Sequence, residues 1–146
     1  LGVLLIDEKN SHEYFQHKYN VSNNIKNNLN LLANNFRLSQ ENKNFFLQDL
    51  EKNIYLNGKN HLINLNILNF VINTKLKFKD FKETLNKILK SKTHQFTIDG
   101  KYLIKNGMQQ GLLMGKVLKE IEEEWIKNNF KINKERVKEI IRLHSN

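Results

Sequence analysis

The sequence predicts an all-α protein, an irregular bundle of about eight helices with a helix-turn-helix hairpin near residues 100–130. Three observations carry this expectation. Pro is absent from all 146 residues. Strict alternation of apolar and polar residues, the mark of a half-buried strand, is scarce. Apolar residues recur instead three and four apart, the spacing that turns one helix face toward a core.

The elements follow in chain order. Residues 1–6 read as the end of a buried helix, and a polar stretch at 7–10 leads into a short helix at 11–19. Ser22 predicts an N-cap for a helix to about Phe36. Ile25, Leu29, Leu32 and Phe36 form its apolar stripe, and its many Asn residues fill the other face. Asn is a mediocre helix former, so tertiary packing must hold this helix. Ser39 predicts the cap of the next helix, with Phe46, Leu47, Leu50 and Ile54 inward and Gly58 as a left-handed stop. "HLINLNILNFVI" from residue 61 is apolar on more than one side, as a central, buried helix requires.

A basic helix spans about 79–91. Phe81, Leu85, Ile88 and Leu89 face inward and Lys82, Lys87 and Lys90 outward, while Asp80 and Glu83 have capping-box spacing. "QFTI" is an extended link. A short helix at 101–106 ends on Gly107, "MQQ" turns the chain, and a long helix runs from Gly111 to about Phe130. Met114, Leu118, Ile121 and Trp125 form its core stripe. Glu120, Glu122, Glu123 and Glu124 make a solvated face, with Glu123 placed to pair with Lys127. A last helix starts near the cap Asn133 and buries Val137, Ile140 and Ile141.

Length fits one all-helical domain over residues 1–146, with 1–92 and 93–146 as its two parts. The absence of Cys excludes disulfides and thiolate metal sites. No apolar run approaches a membrane span, and "LGVLLI" lacks the basic residues of a signal peptide, so a cytoplasmic protein is expected. The chain opens at Leu1 directly on apolar residues, which reads as a piece whose first helix begins upstream.

The net charge is +9, and its location matters more than its size. Residues 1–73 carry seven Lys/Arg against six Asp/Glu; residues 74–146 carry seventeen against nine. A local basic excess points to a polyanion. Lys far outnumbers Arg, however, and Asn, Ile and Leu are abundant, a pattern that AT-rich coding also produces. His12 and His17 are five apart, off the i, i+4 spacing of a zinc helix, and His61, His94 and His144 stand alone. The sequence offers no catalytic triad, phosphate loop or metal site.

Four of the six Gly residues fall at 100, 107, 111 and 115. Gly inside a helix costs about 1 kcal/mol relative to Ala, so such a cluster needs a reason. Gly107 reads as a helix stop. Gly111 and Gly115 share one face, where they either let helices pack closely or leave the backbone open to a phosphate. In the second case the unpaired amides at the start of the long helix receive the anion. Lys101, Lys105 and Lys116 would flank it, and Gln109 and Gln110 would donate hydrogen bonds. Lys87, Lys90 and Lys92 extend the basic surface.

The pattern formed by Phe96, Ile98, Gly100, Leu103, Ile104, Gly107, Met108, Gly111, Met114, Gly115, Leu118 and Trp125 resembles the C-terminal signature of bacterial tRNA nucleotidyltransferases. These are the CCA-adding enzymes, grouped with bacterial poly(A) polymerases. "VSN" at 21–23 and "IYLNGK" at 54–59 are weaker landmarks. Tyr102 stands where the family usually has Asp, and Leu112 where it often has Pro. The resemblance implies a helical body and tail that hold the acceptor and T-arm minihelix of tRNA. It also implies a catalytic head, with Mg²⁺-binding carboxylates, on the N-terminal side of a parent polypeptide that adds CCA, A alone or a poly(A) tail. No head motif occurs here, so this chain is expected to have no catalytic residue and to need no cofactor of its own. The alternative is a non-catalytic helical interaction domain, or the remnant of a split gene, whose basic charge is compositional.

Overall fold

The computed structural model describes residues 1–7 and 10–144; Glu8 and Lys9 of the polar stretch at 7–10 lie outside the described residues. The described residues form nine helices and no strand: α1 (Gly2–Leu5), α2 (Ser11–Tyr19), α3 (Asn23–Glu41), α4 (Leu50–Asn57), α5 (Lys59–Ile72), α6 (Phe78–Lys90), α7 (Gly100–Lys105), α8 (Leu113–Lys127) and α9 (Lys134–Leu143). The protein is all-α, as the spacing predicts. Among the described residues no helix is long and apolar enough to cross a membrane. The chain divides into two compact units, Leu1–Thr93 and His94–Asn146.

In the first unit α5 is the centre, packed by α1, α3, α4 and α6. Leu62, Leu65 and Leu68 step along its buried face and meet Ile54 of α4 and Ile88 of α6. Each such side chain stabilises the fold by about 1.5–3 kcal/mol when fully removed from water. The expectation of a buried central helix holds, although Ile67 and Val71 on its remaining face stay exposed.

Asparagines do much of the joining, and they are not confined to an outer face. Asn35, Asn53, Asn66 and Asn69 are buried, and each buried amide must find partners. Asn53 Nδ2 donates to the Phe45 carbonyl at 2.8 Å. Asn66 Nδ2 donates to the Phe81 carbonyl at 3.1 Å, tying α5 to α6. Asn69 Nδ2 donates to Ser39 Oγ at 3.1 Å, tying α5 to α3.

Several expected boundaries move. α1 is a four-residue helix; Leu1 and Leu4 are exposed, and Ile6 beyond it reaches the core. Ser22 caps α3 by accepting from the Ile25 amide. Ser39 caps nothing: its hydroxyl donates back to the Phe36 carbonyl at 2.7 Å while α3 runs on to Glu41. Turns at 42–49 intervene, Leu47 is exposed, and α4 starts at Leu50. Asp80 does not open a capping box, because α6 begins at Phe78 with Lys77 before it and Asp80 lies inside the first turn. Ile88 is buried as expected, whereas Leu89 points outward.

In the second unit α8 packs against α7 and α9. Val117 and Ile121 of α8, Leu103 of α7, and Val137, Ile140 and Ile141 of α9 form its core. Ile121 of the expected stripe belongs to this core and Met114 and Leu118 pack against it, with Val117 as a member that the spacing argument missed; Trp125 stands outside it, half-buried beside Phe96. Asn133 caps α9 by accepting from the Glu135 amide. Arg136 of α9 grips Glu124 of α8 at 2.9 Å and Glu139 at 2.9 Å. These two hydrogen-bonded carboxylates raise the guanidinium pKa.

Candidate nucleic-acid interface

The hairpin between α7 and α8 is built residue by residue. Asp99 accepts from the Tyr102 amide at 2.9 Å and so caps α7. An acidic cap is therefore present three residues before Tyr102, the position at which the resemblance leads one to expect Asp. At the other end Asn106 Nδ2 donates to the Tyr102 carbonyl at 2.8 Å. Gly107 follows with φ +97°, a conformation that side chains resist, and its amide donates to the Ile104 carbonyl. Met108 then drops into the core, its amide bonded to the Leu103 carbonyl, so of "MQQ" only Gln109 and Gln110 stand at the surface.

α8 opens two residues later than expected, at Leu113 rather than Gly111. Gly111 belongs to the turn, where its carbonyl accepts from the Met114 amide at 3.2 Å. Leu112 occupies the N-cap position and has no side-chain oxygen to offer the first turn, which also holds no acidic residue. The positive end of the helix dipole therefore has neither a side-chain cap nor an acidic side chain in the helix's own first turn.

A Cβ added at Gly111 or Gly115 would meet nothing within 4 Å, so close helix packing explains neither. The tight approach is at Gly100 instead, where a Cβ would come within 2.8 Å of the end of the Met114 side chain.

A cavity of about 390 Å³ lies at the turn, lined by Met108, Gln109, Gln110, Gly111, Leu112, Leu113 and His144. His144 Nε2 lies 2.8 Å from Glu120 Oε2. Gln109, Gln110 and Gly111 are thus brought together. Lys101, Lys105 and Lys116 are exposed on the same hairpin but none lines this cavity. Lys87 and Lys90 occupy the last turn of α6 in the first unit, and Lys92 follows it; all three are exposed. Lys87 and Lys90 there also complement the negative end of the α6 dipole.

The acidic face of α8 is partly neutralised. Glu123 lies 3.8 Å from Lys119, one turn back, where the spacing argument chose Lys127. Among the described residues no group of three or more His, Cys, Asp or Glu side chains comes together to hold a metal ion.

Trp125 is half-buried beside other rings that sequence reasoning did not assemble. Its ring centroid is 5.4 Å from Phe96 and 4.9 Å from Phe130, and His94 stacks on Phe130 at 3.7 Å with planes 10° apart. These side chains come from the extended link, α8 and the turn after it. Only the close "NNFK" sequence at 128–131 could have hinted at the turn.

No protein-family model, curated protein or solved structure matches this chain.

Proposed function

We propose that this chain is the tRNA-binding C-terminal region of a tRNA nucleotidyltransferase, holding tRNA so that its 3′ end reaches a catalytic head carried by other residues. The reading rests on the signature resemblance, and one observation carries it further. Gly111 and Gly115 are open to solvent and unexplained by packing, at the start of a helix whose first turn has no side-chain cap. Small residues at an uncapped helix start suit a backbone that must approach a phosphate. Contacts of this kind fix register on RNA without reading bases, as a protein that accepts all tRNAs requires. Lys101, Lys105 and Lys116 supply longer-range attraction, with Lys87, Lys90 and Lys92 as a further basic group.

Filter binding of a tRNA minihelix at two salt concentrations tests this. Lys105→Ala should weaken binding to different tRNAs alike and lower the salt slope by about 1. A change in which tRNA is preferred would exclude a backbone clamp.

A second reading, a non-catalytic helical interaction domain, gains from one observation. Leu112 at the hairpin tip is 99% exposed, more suited to a protein groove than to a phosphate. Binding that is absent, or indifferent to salt, would favour that reading.

A further inference from the structure

The aromatic rings of the second unit line a groove, and one of them is held there in an unusual backbone conformation. The groove has a volume of about 420 Å³, and its lining includes Phe96, Tyr102, Trp125 and Phe130 together with Lys131 and Lys134. That volume lies within the range of small-ligand pockets. After α8 the chain enters the left-handed region twice in succession, at Asn129 (φ 54°) and Phe130 (φ 60°). Asn tolerates this region; a bulky aromatic residue there is an outlier. The Phe130 amide closes the turn on the Trp125 carbonyl at 2.8 Å, and its ring stacks on His94. Strained residues of this kind concentrate at binding sites.

We propose that this groove binds an unpaired nucleobase of an RNA strand, stacked against the aromatic side chains, with Lys131 and Lys134 on the flanking phosphates. The occupant follows from the chemistry of the walls. Flat rings favour a flat partner, and every base has a π-face, so stacking tolerates any sequence. Two exposed lysines in the lining of an aromatic groove favour an anion attached to that partner. The proposal deepens the RNA-binding reading and rests on it, but uses different residues from the α7–α8 turn.

Trp125 is the one Trp of the sequence, so its fluorescence reports this groove alone. The whole chain would be titrated with an unstructured oligoribonucleotide of about ten nucleotides. Parallel titrations would use an abasic strand of equal length and adenosine monophosphate. The expected result is saturable Trp125 quenching by the oligomer and about tenfold weaker binding of the abasic strand without quenching. Adenosine monophosphate should bind far more weakly than the oligomer. Lys131→Ala and Lys134→Ala change exposed side chains; each should lower the slope of log affinity against log salt by about 0.7. Phe130→Asn, which suits the left-handed backbone, should keep the helical circular dichroism and weaken the oligomer about tenfold.

Oligomer binding without Trp125 quenching would overturn the proposal, as would an unchanged salt slope in both lysine variants. Adenosine monophosphate binding as tightly as the oligomer would overturn the strand as occupant. The two RNA readings fail separately. Minihelix binding that depends on Lys105 while Trp125 stays silent sinks only the groove. Quenching by the oligomer with no affinity for the minihelix sinks only the tRNA assignment.

Discussion

Two glycines on one hairpin should respond to the same substitution in opposite directions. Gly107 needs its positive φ, and an alanine there meets a backbone that its Cβ opposes. Gly107→Ala should destabilise the protein by about 1–2 kcal/mol. Gly115 lies inside α8 with open space around it, so Gly115→Ala should stabilise by up to about 1 kcal/mol through helix propensity alone. Urea unfolding of both variants checks the pair, and equal signs would contradict the backbone geometry.

His61 offers a second residue-scale test. Asn57 commits its Nδ2 to the Asn53 carbonyl at 3.1 Å, so its Oδ1 accepts from Asn35 Nδ2 at 3.0 Å. Asn35 Nδ2 has a second proton, which it directs to His61 Nε2 at 2.9 Å. That nitrogen must then be an acceptor, and the ring neutral. Burial also lowers the His61 pKa, since it disfavours the charged form. The unfolded chain therefore binds more protons than the folded one. Stability should be full above the ordinary histidine value of about 6.5 and fall as pH drops from there toward the lower folded value. His61→Gln, which keeps an acceptor but does not titrate, should flatten this part of the melting-temperature profile.

At the scale of elements, helix starts were readable where the cap acts locally and misread where a longer-range choice decides. Ser22 and Asn133 cap through amides two or three residues away, so their neighbours in sequence define the outcome. Ser39 has the same chemistry, yet its hydroxyl bonds back along α3 and its Oγ also accepts from Asn69 of α5. Contact with α5 decides that case, and no local pattern records it. Asn35 departs from the outer face expected of the α3 asparagines for the same reason, because its partners, Asn57 and His61, lie on α4 and α5. Asp99 is a cap that did belong to the local sequence. α7 has only six residues, so the loss of one satisfied amide matters to it. Asp99→Ala should destabilise the second unit by about 1 kcal/mol, read as a lower urea midpoint for Trp125 fluorescence. An unchanged midpoint would mean that the cap contributes nothing to this hairpin.

At the scale of the whole molecule, the turn of the candidate site was visible in the sequence because glycine chemistry is local. The cavity's lining was not, because side-chain direction decides that Gln109 and Gln110 enter it and Lys105 does not. The aromatic groove was hidden for a further reason: Phe96, Tyr102, Trp125 and Phe130 meet only after three elements pack. The division into two units bears on stability in the same way. Each unit has its own buried apolar cluster, one around Leu62, Leu65 and Leu68 and one around Val117, Ile121 and Ile140. The first comprises residues Leu1–Thr93 and the second little more than fifty residues. A chain of that smaller size buries only about 60% of its unfolded surface and is marginal alone. A fragment ending at Thr93 should therefore keep its helical circular dichroism and melt cooperatively. The fragment from His94 onward should melt at a lower temperature and over a broader range, as its smaller enthalpy requires. If the first fragment were unfolded by itself, the core around α5 would not suffice to hold α3, α4 and α6, and the two clusters could not be treated as separate sources of stability.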